Sequence, residues 1–186
     1  MTALADVRTG LGECDRCPLH ATRGRLVFGT GNPEAELVLV GEAPGAREDR
    51  DGLPFVGAAG KLLDAMLSRI RLTRRDIYIA NVLKCRPPDN RNPRPEEIEQ
   101  CVPFLFEQLG AIHPQVVGTL GNFATRTLLE TREGITALRG REFSVRGFRV
   151  VPMYHPAAAL HNGSLRPEIE ADFLRLGRIL GCAPVA

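Results

Sequence analysis

The chain alternates short continuous apolar runs with longer stretches of helical periodicity. ELVLV (36–40) carries two β-branched residues and stops at the glycine-bounded turn GEAPG. IYIANVL (77–83) and QVVGTLG (115–121) repeat that form, and FSVRGFRVVPMYH (143–155) reads as a hairpin around Arg146-Gly147 whose second half is a strand ending at His155. Apolar runs of this length, bounded by turn residues, are the pattern of buried strands. Between them, AAGKLLDAMLSRI (58–70) sets Leu62, Leu63, Met66, Leu67 and Ile70 at helical spacing. Residues 2–12, NFATRTLLE and PEIEADFLRLGRIL read as further helices. RPPDNRNPRP is a proline-rich loop that delivers Pro95 to the start of a helix over EEIEQCVPFLFEQLGAI, which is expected to kink or restart at Pro103.

No repeat, low-complexity tract or linker interrupts this series, so residues 1–186 are expected to form one domain. Strands alternating with helices predict an α/β fold, a three-layer domain with a central, largely parallel four-stranded sheet. In such sheets ligands bind beyond the carboxyl ends of the strands. GEAPG, Asn81 and His155, each at a predicted strand end, are therefore expected to converge.

Composition narrows the setting. No apolar run approaches the roughly 20 residues that cross a bilayer, and the N-terminus lacks the long apolar stretch of a signal peptide. A cytoplasmic monomer is expected. The net charge is only +2, but 22 of the 24 basic residues are arginines. They gather between Arg69 and Arg94 and again over Arg139, Arg141, Arg146 and Arg149. Arginine pairs with phosphate in a bidentate way, so such patches suit nucleic acid; a solvated arginine-rich surface explains them equally well.

Five cysteines stand at 14, 17, 85, 101 and 182. Cys14 and Cys17 form a CxxC pair, Cys85 ends the second predicted strand, and Cys101 follows one loop and a helical turn or two later. Four thiols from two separated segments of a cytosolic chain suggest a metal centre rather than disulfides. Zinc and a [4Fe-4S] cluster both accept four thiolates, and spacing does not choose between them. Buried cysteines beside an incidental CxxC give the alternative without metal. Cys182 is expected to have no ligand role. GAAGK (57–61) is no phosphate loop, since the glycine spacing is wrong and Leu62 replaces the hydroxyl residue.

GEAPGAREDRDGLPFVGAAGKLL, IYIANVLKCRPPDNRNPRPEE and MYHPAAAL, with CxxCPL and FGTGNPEAELVLVGEAPG ahead of them, together resemble the iron-sulfur uracil-DNA glycosylases, family 4 of that superfamily. The resemblance runs from about Cys14 to about Leu160 with order and spacing intact. A DNA-trapping relative carries a basic insertion with a reactive histidine after the second strand; RPPDNRNPRP has none, which favours a turnover enzyme. The resemblance implies a [4Fe-4S] cluster on Cys14, Cys17, Cys85 and Cys101, structural rather than redox-active. It also implies that uracil-containing DNA, single- or double-stranded, is the partner.

The same resemblance assigns roles within the motifs. Phe55 is the face on which a flipped uracil stacks. Asn81 offers a donor and an acceptor that suit uracil and oppose cytosine. His155 donates to uracil O2 as negative charge builds there, and Leu160 is the wedge that fills the vacated stack. Where related glycosylases carry a water-positioning Asp, this chain has Ala43, so Glu42 is the first choice for the water or the cationic sugar and Glu48 the second. Asn90 is a candidate substrate contact, whereas Asp49 and Asp51 are read as exposed loop acids. Phe55 and His155 also fit ordinary core and strand-end positions, and the competing reading is a non-catalytic iron-sulfur DNA-binding protein.

Overall fold

The structure is a computed structural model that describes residues 3–182. Its elements run α1 (Ala3–Leu11), β1 (Thr30–Gly31), β2 (Leu37–Gly41), α2 (Ala46–Asp51), α3 (Ala58–Arg69), β3 (Tyr78–Asn81), α4 (Pro95–Ile112), β4 (Val116–Leu120), α5 (Gly121–Leu129), α6 (Ile135–Leu138), β5 (Phe143–Val145), β6 (Phe148–Met153), α7 (Pro156–His161) and α8 (Arg166–Ile179). Short 3-10 turns cover Pro18–Ala21, Pro88–Asn90 and Gly163–Leu165. Of the first helix expected from sequence, Thr2 lies outside the described residues.

The sheet has strand order β1-β3-β2-β4-β6-β5. Its centre, β3-β2-β4-β6, is the parallel four-stranded unit that the apolar runs predict. The sheet is nevertheless six-stranded, because β1 pairs antiparallel with β3 and β5 antiparallel with β6. β1 is two residues long, too short to leave an apolar pattern. β5 is the first arm of the expected hairpin, turned by Arg146 (φ 49°) and Gly147 (φ 85°), two left-handed residues that match the twist of the strands.

Burial explains why β2 reads as continuously apolar. Its side chains point alternately to the two faces: Leu37 and Leu39 pack with residues of α3 and α8, while Val38 and Val40 pack with residues of α1, α4 and α5. A strand covered on both sides has no polar face to show. The result is the expected three-layer arrangement.

Two local expectations change. α4 runs without a break through Pro103. Pro103 and Glu99 are exposed, so the Glu99 carbonyl, which loses its helical donor, opens to water instead. The acidic stretch after GEAPG also forms α2, closed by left-handed Gly52 (φ 74°). Asp51 pairs with its neighbour Arg50 as an exposed acid would. Asp49, by contrast, is buried and accepts from the Gly24 N–H at 2.8 and 3.0 Å and from the Arg25 N–H at 3.4 Å. A chain segment distant in sequence covers it and supplies its donors.

Candidate active site

The four parallel strands all end on one side of the sheet. β2 leads to β3 by way of α3, and β3 returns across β2 to β4 by way of α4, so the winding direction reverses at β2. Such a reversal leaves a crevice at the strand ends. Gly41 and Asn81, the last residues of β2 and β3, lie opposite each other in register. A Cβ on Gly41 would overlap Asn81 Oδ1 and stand 2.9 Å from the Phe55 ring. Only a glycine lets the amide and the ring meet over this strand end.

Phe55 is buried and adopts φ 55°, a left-handed conformation uncommon for an aromatic residue. Its ring stacks on His155, with centroids 5.4 Å apart and planes 25° from parallel. His155 follows β6 closely and caps α7. The Ala157 N–H donates to His155 Nδ1 at 3.0 Å, which makes Nδ1 an acceptor and leaves the neutral ring's proton on Nε2. Burial pushes the His155 pKa down to about 4, against the opposing influence of the nearby Glu48 charge. The strand end before it is anchored as well: the Tyr154 N–H donates to buried Asp172, which Arg139 also holds.

The two leading carboxylates are placed differently. Glu48 Oε1 accepts from the Val56 and Gly57 N–H groups at 2.9 and 3.0 Å, so half of this carboxylate is committed to the loop that carries Phe55. Glu42 follows Gly41, and burial raises its pKa above the usual carboxylate value. Ala43 packs against the core beneath. Leu160 stands on α7 with 52% of its surface exposed, and Asn90 lies on the exposed Pro88–Asn90 turn with its Oδ1 accepting from Arg86 at 2.8 Å. Asn81 and Phe55 thus meet over Gly41, His155 joins them by stacking on Phe55, and Glu48 holds the loop behind that ring, while Leu160 and Asn90 face outward.

Cys14, Cys17, Cys85 and Cys101 line one pocket together with Leu19, Leu26 and Leu83. Burial raises the thiol pKa of Cys17 and Cys85, and that of Cys101 to about 11. Two donors already address the sulfurs: Arg23 Nη1 to Cys85 Sγ at 3.4 Å and the Lys84 N–H to Cys101 Sγ at 3.3 Å. Among the described residues no three Cys, His, Asp or Glu side chains are gathered to hold a single ion. Cys182 follows α8 and does not line this pocket. The donor set is soft, and arginine and lysine stand beside it to offset negative charge, which fits a multinuclear thiolate-bound cluster.

Several basic residues in the two clusters are held by partners within the chain, and one of them is buried. Lys84 is buried to 1% exposure, donates to Asn81 O at 2.8 Å and Gln108 Oε1 at 2.6 Å, and has its pKa pushed down to about 8 by burial. It joins the cysteine pocket to the backbone of Asn81. Arg69, Arg74 and Arg91 pair with Glu170, Asp64 and Glu97, and Arg139, Arg146 and Arg149 pair with Asp172, Glu130 and Glu142. Arg71, Arg75 and Arg94 remain exposed for a polyanion. Gly41 was legible as the strand end but not as the residue over which Asn81 and Phe55 meet, and nothing local marked Arg74 as a partner of the Phe55 loop.

The model of the uracil DNA glycosylase superfamily matches residues 28–176. The chain is 46% identical to the type-4 uracil-DNA glycosylase of Archaeoglobus fulgidus over 97% of this chain and 95% of that protein. It is 42% identical to the type-4 enzyme of Sulfurisphaera tokodaii, covering 95% of this chain and 84% of that one. The type-4 enzyme of Thermotoga maritima is 44% identical, covering 82% and 80% respectively.

Proposed function

The chain belongs to the uracil-DNA glycosylase superfamily, and we propose that it hydrolyses the bond between uracil N1 and deoxyribose C1′ in DNA, leaving an abasic site for base excision repair. The observation that carries this reading is that Asn81 and Phe55 meet over Gly41 at the strand ends and that His155 stacks on the same Phe55 ring. A protein that only bound DNA would have no use for a desolvated histidine held in one tautomer beside an aromatic face and a buried amide.

The reaction begins with the base leaving the helix stack, at a cost of a few kcal/mol. Uracil stacks on Phe55, and the Asn81 amide pairs with its O4 and N3-H. As the C1′–N1 bond breaks, its electron pair moves onto the base. The His155 Nε2–H donates to O2, where that negative charge collects, without transferring its proton. A preorganised donor in a desolvated site is worth more than the same donor in water. Glu42 faces the positive charge on the sugar or holds the water that adds to C1′; as the new C–O bond forms this water gives one proton to solvent, and the departing uracil anion takes one up from solvent. Glu48 acts chiefly through the loop it grips, and Ala43 contributes no functional group. Leu160 fills the gap in the stack, and Asn90 contributes to substrate contact through the loop it shapes.

Cys14, Cys17, Cys85 and Cys101 are assigned to a [4Fe-4S] cluster, which supplies a structural tie between the N-terminal segment and the proline-rich loop. The four thiols that line one pocket, with Arg23 and Lys84 beside them to offset thiolate charge, support this. No helix among the described residues is long and apolar enough to cross a membrane. We assign the enzyme to the cytoplasm, as a monomer acting on single- or double-stranded DNA.

The test is direct. Purified protein is incubated with a DNA strand holding one uracil, and abasic sites are then cleaved by alkali. Strand cleavage at the uracil position is expected, and intact DNA at enzyme excess rejects the reading. Iron and acid-labile sulfide in equal amounts are expected in the anaerobically prepared protein; a colourless zinc protein rejects the cluster.

A further inference from the structure

The side chain of Arg74 lies behind the Phe55 loop and not among the residues that would meet the base. Its guanidinium has five donors in a rigid plane, and four acceptors surround it. Nε donates to Asp64 Oδ1 at 2.6 Å, Nη1 to the Pro54 carbonyl at 3.1 Å, and Nη2 to the carbonyls of Phe55 and, at 3.3 Å, Gly60. Two consecutive carbonyls of the loop and one from the first turn of α3 are thus gathered on one side chain.

This arrangement bears on the left-handed φ of Phe55. That conformation turns the ring toward Gly41 and His155 while its carbonyl points the opposite way, toward Arg74 and Gly60. The fit is close: a Cβ on Gly60 would overlap the Phe55 carbonyl oxygen and lie 2.9 Å from Arg74 Nη2. On the other side of the same residue, Glu48 takes the next two N–H groups. Arg74 holds the acceptor and Glu48 the donors, so the Phe55 peptide is fixed from both ends in a conformation that an unaided aromatic residue seldom adopts.

We propose that Arg74 is a positioning residue of the glycosylase, acting through Phe55 by holding its carbonyl so that the ring is presented as a preformed stacking face. The inference rests on the uracil-excision reading above. Lysine in its place could reach one carbonyl but not three carbonyls and a carboxylate together.

The test is single-turnover uracil excision by the cluster-loaded full chain, in a double-mutant cycle. Arg74→Ala is expected to slow the bound-state rate by roughly 10–100-fold, the scale that a small misplacement of a reacting group produces, with Arg74→Lys intermediate. In a Phe55→Ala background, adding Arg74→Ala should change the rate by no more than about twofold, because the ring that Arg74 positions is gone. A general loss of folding would slow both backgrounds alike, so additive losses overturn the proposal, as does an unchanged rate in Arg74→Ala. Should the Arg74 variants fail to fold, Asp64→Asn removes the charge that orients the guanidinium from an exposed position. It is expected to slow excision where Phe55 is present and not in the Phe55→Ala background, and equal effects in both reject the inference. Failure of the parent protein itself to excise uracil would reject the glycosylase reading instead.

Discussion

Phe55 and His155, far apart in sequence, stack with ring centroids 5.4 Å apart and planes 25° from parallel. The separation falls in the ordinary range for neighbouring rings and leaves no space for a base between them. A base stacked on the same face of Phe55 would therefore lie beside the imidazole. In that place the near-parallel imidazole would meet the edge of the base and not its face.

Replacing Phe55 by leucine keeps apolar volume but removes this face. Base–aromatic stacking is worth about 1–3 kcal/mol, so Phe55→Leu should lower the kcat/KM for uracil excision by roughly 10–100-fold, with a smaller effect on binding to DNA that lacks uracil. Competition between uracil-containing and undamaged strands measures both.

The donation from Ala157 to Nδ1 and the pKa near 4 make His155 a neutral Nε2–H donor at physiological pH. Nitrogen NMR of histidine-labelled protein should show one ring that keeps this tautomer from pH 8 to near pH 4. The linkage has a definite sign. The folded pKa lies below the unfolded value of about 6.5, so the unfolded chain binds the proton more readily. The stability from this group is present above pH 6.5 and lost as pH falls toward 4. Thermal melting of the parent should therefore decline more steeply than that of His155→Asn across this window.

Gly41→Ala tests the strand-end contact from below. The added methyl would overlap Asn81 Oδ1 and lie 2.9 Å from the Phe55 ring, so both must move. Excision is expected to fall by on the order of 100-fold while circular dichroism stays that of the parent. A variant with parental rates would show that neither group needs its present place.

Asp49 holds the 24–25 segment against α2 through backbone donors. Hydrogen bonds to a charged group contribute about 1.5–3 kcal/mol, and removing the carboxylate also leaves those N–H groups unpaired. Asp49→Ala should destabilise the protein by about 2–4 kcal/mol in denaturant unfolding. Excision well below the melting temperature should change little, since the Asp49 carboxylate is turned to the 24–25 segment and not to Phe55, Asn81 or His155.

Much of the site was legible in the chain's own pattern. LVLV and IYIA are apolar without interruption because both faces of their strands are covered, and strands that run parallel bring their carboxyl ends to one side of the sheet. That reasoning brings Gly41, Asn81 and His155 to one end of the sheet. The acidic loop was less legible: Asp49 and Glu48 are adjacent in α2, yet one holds Gly24 and the other grips Val56 and Gly57.

The sequence by itself determined the parallel core, the strand ends at which chemistry gathers and the two segments that carry the four thiols, because these follow from local periodicity and from glycine and proline positions. Only the tertiary structure decided which charges face water. Lys84 and Asp49 are buried, Arg139 is bound to Asp172, and Arg74 holds the carbonyls behind Phe55 because acceptors and donors distant in sequence come to surround them. The tautomer of His155 was decided at the same level, by the backbone N–H that the start of α7 turns toward its ring.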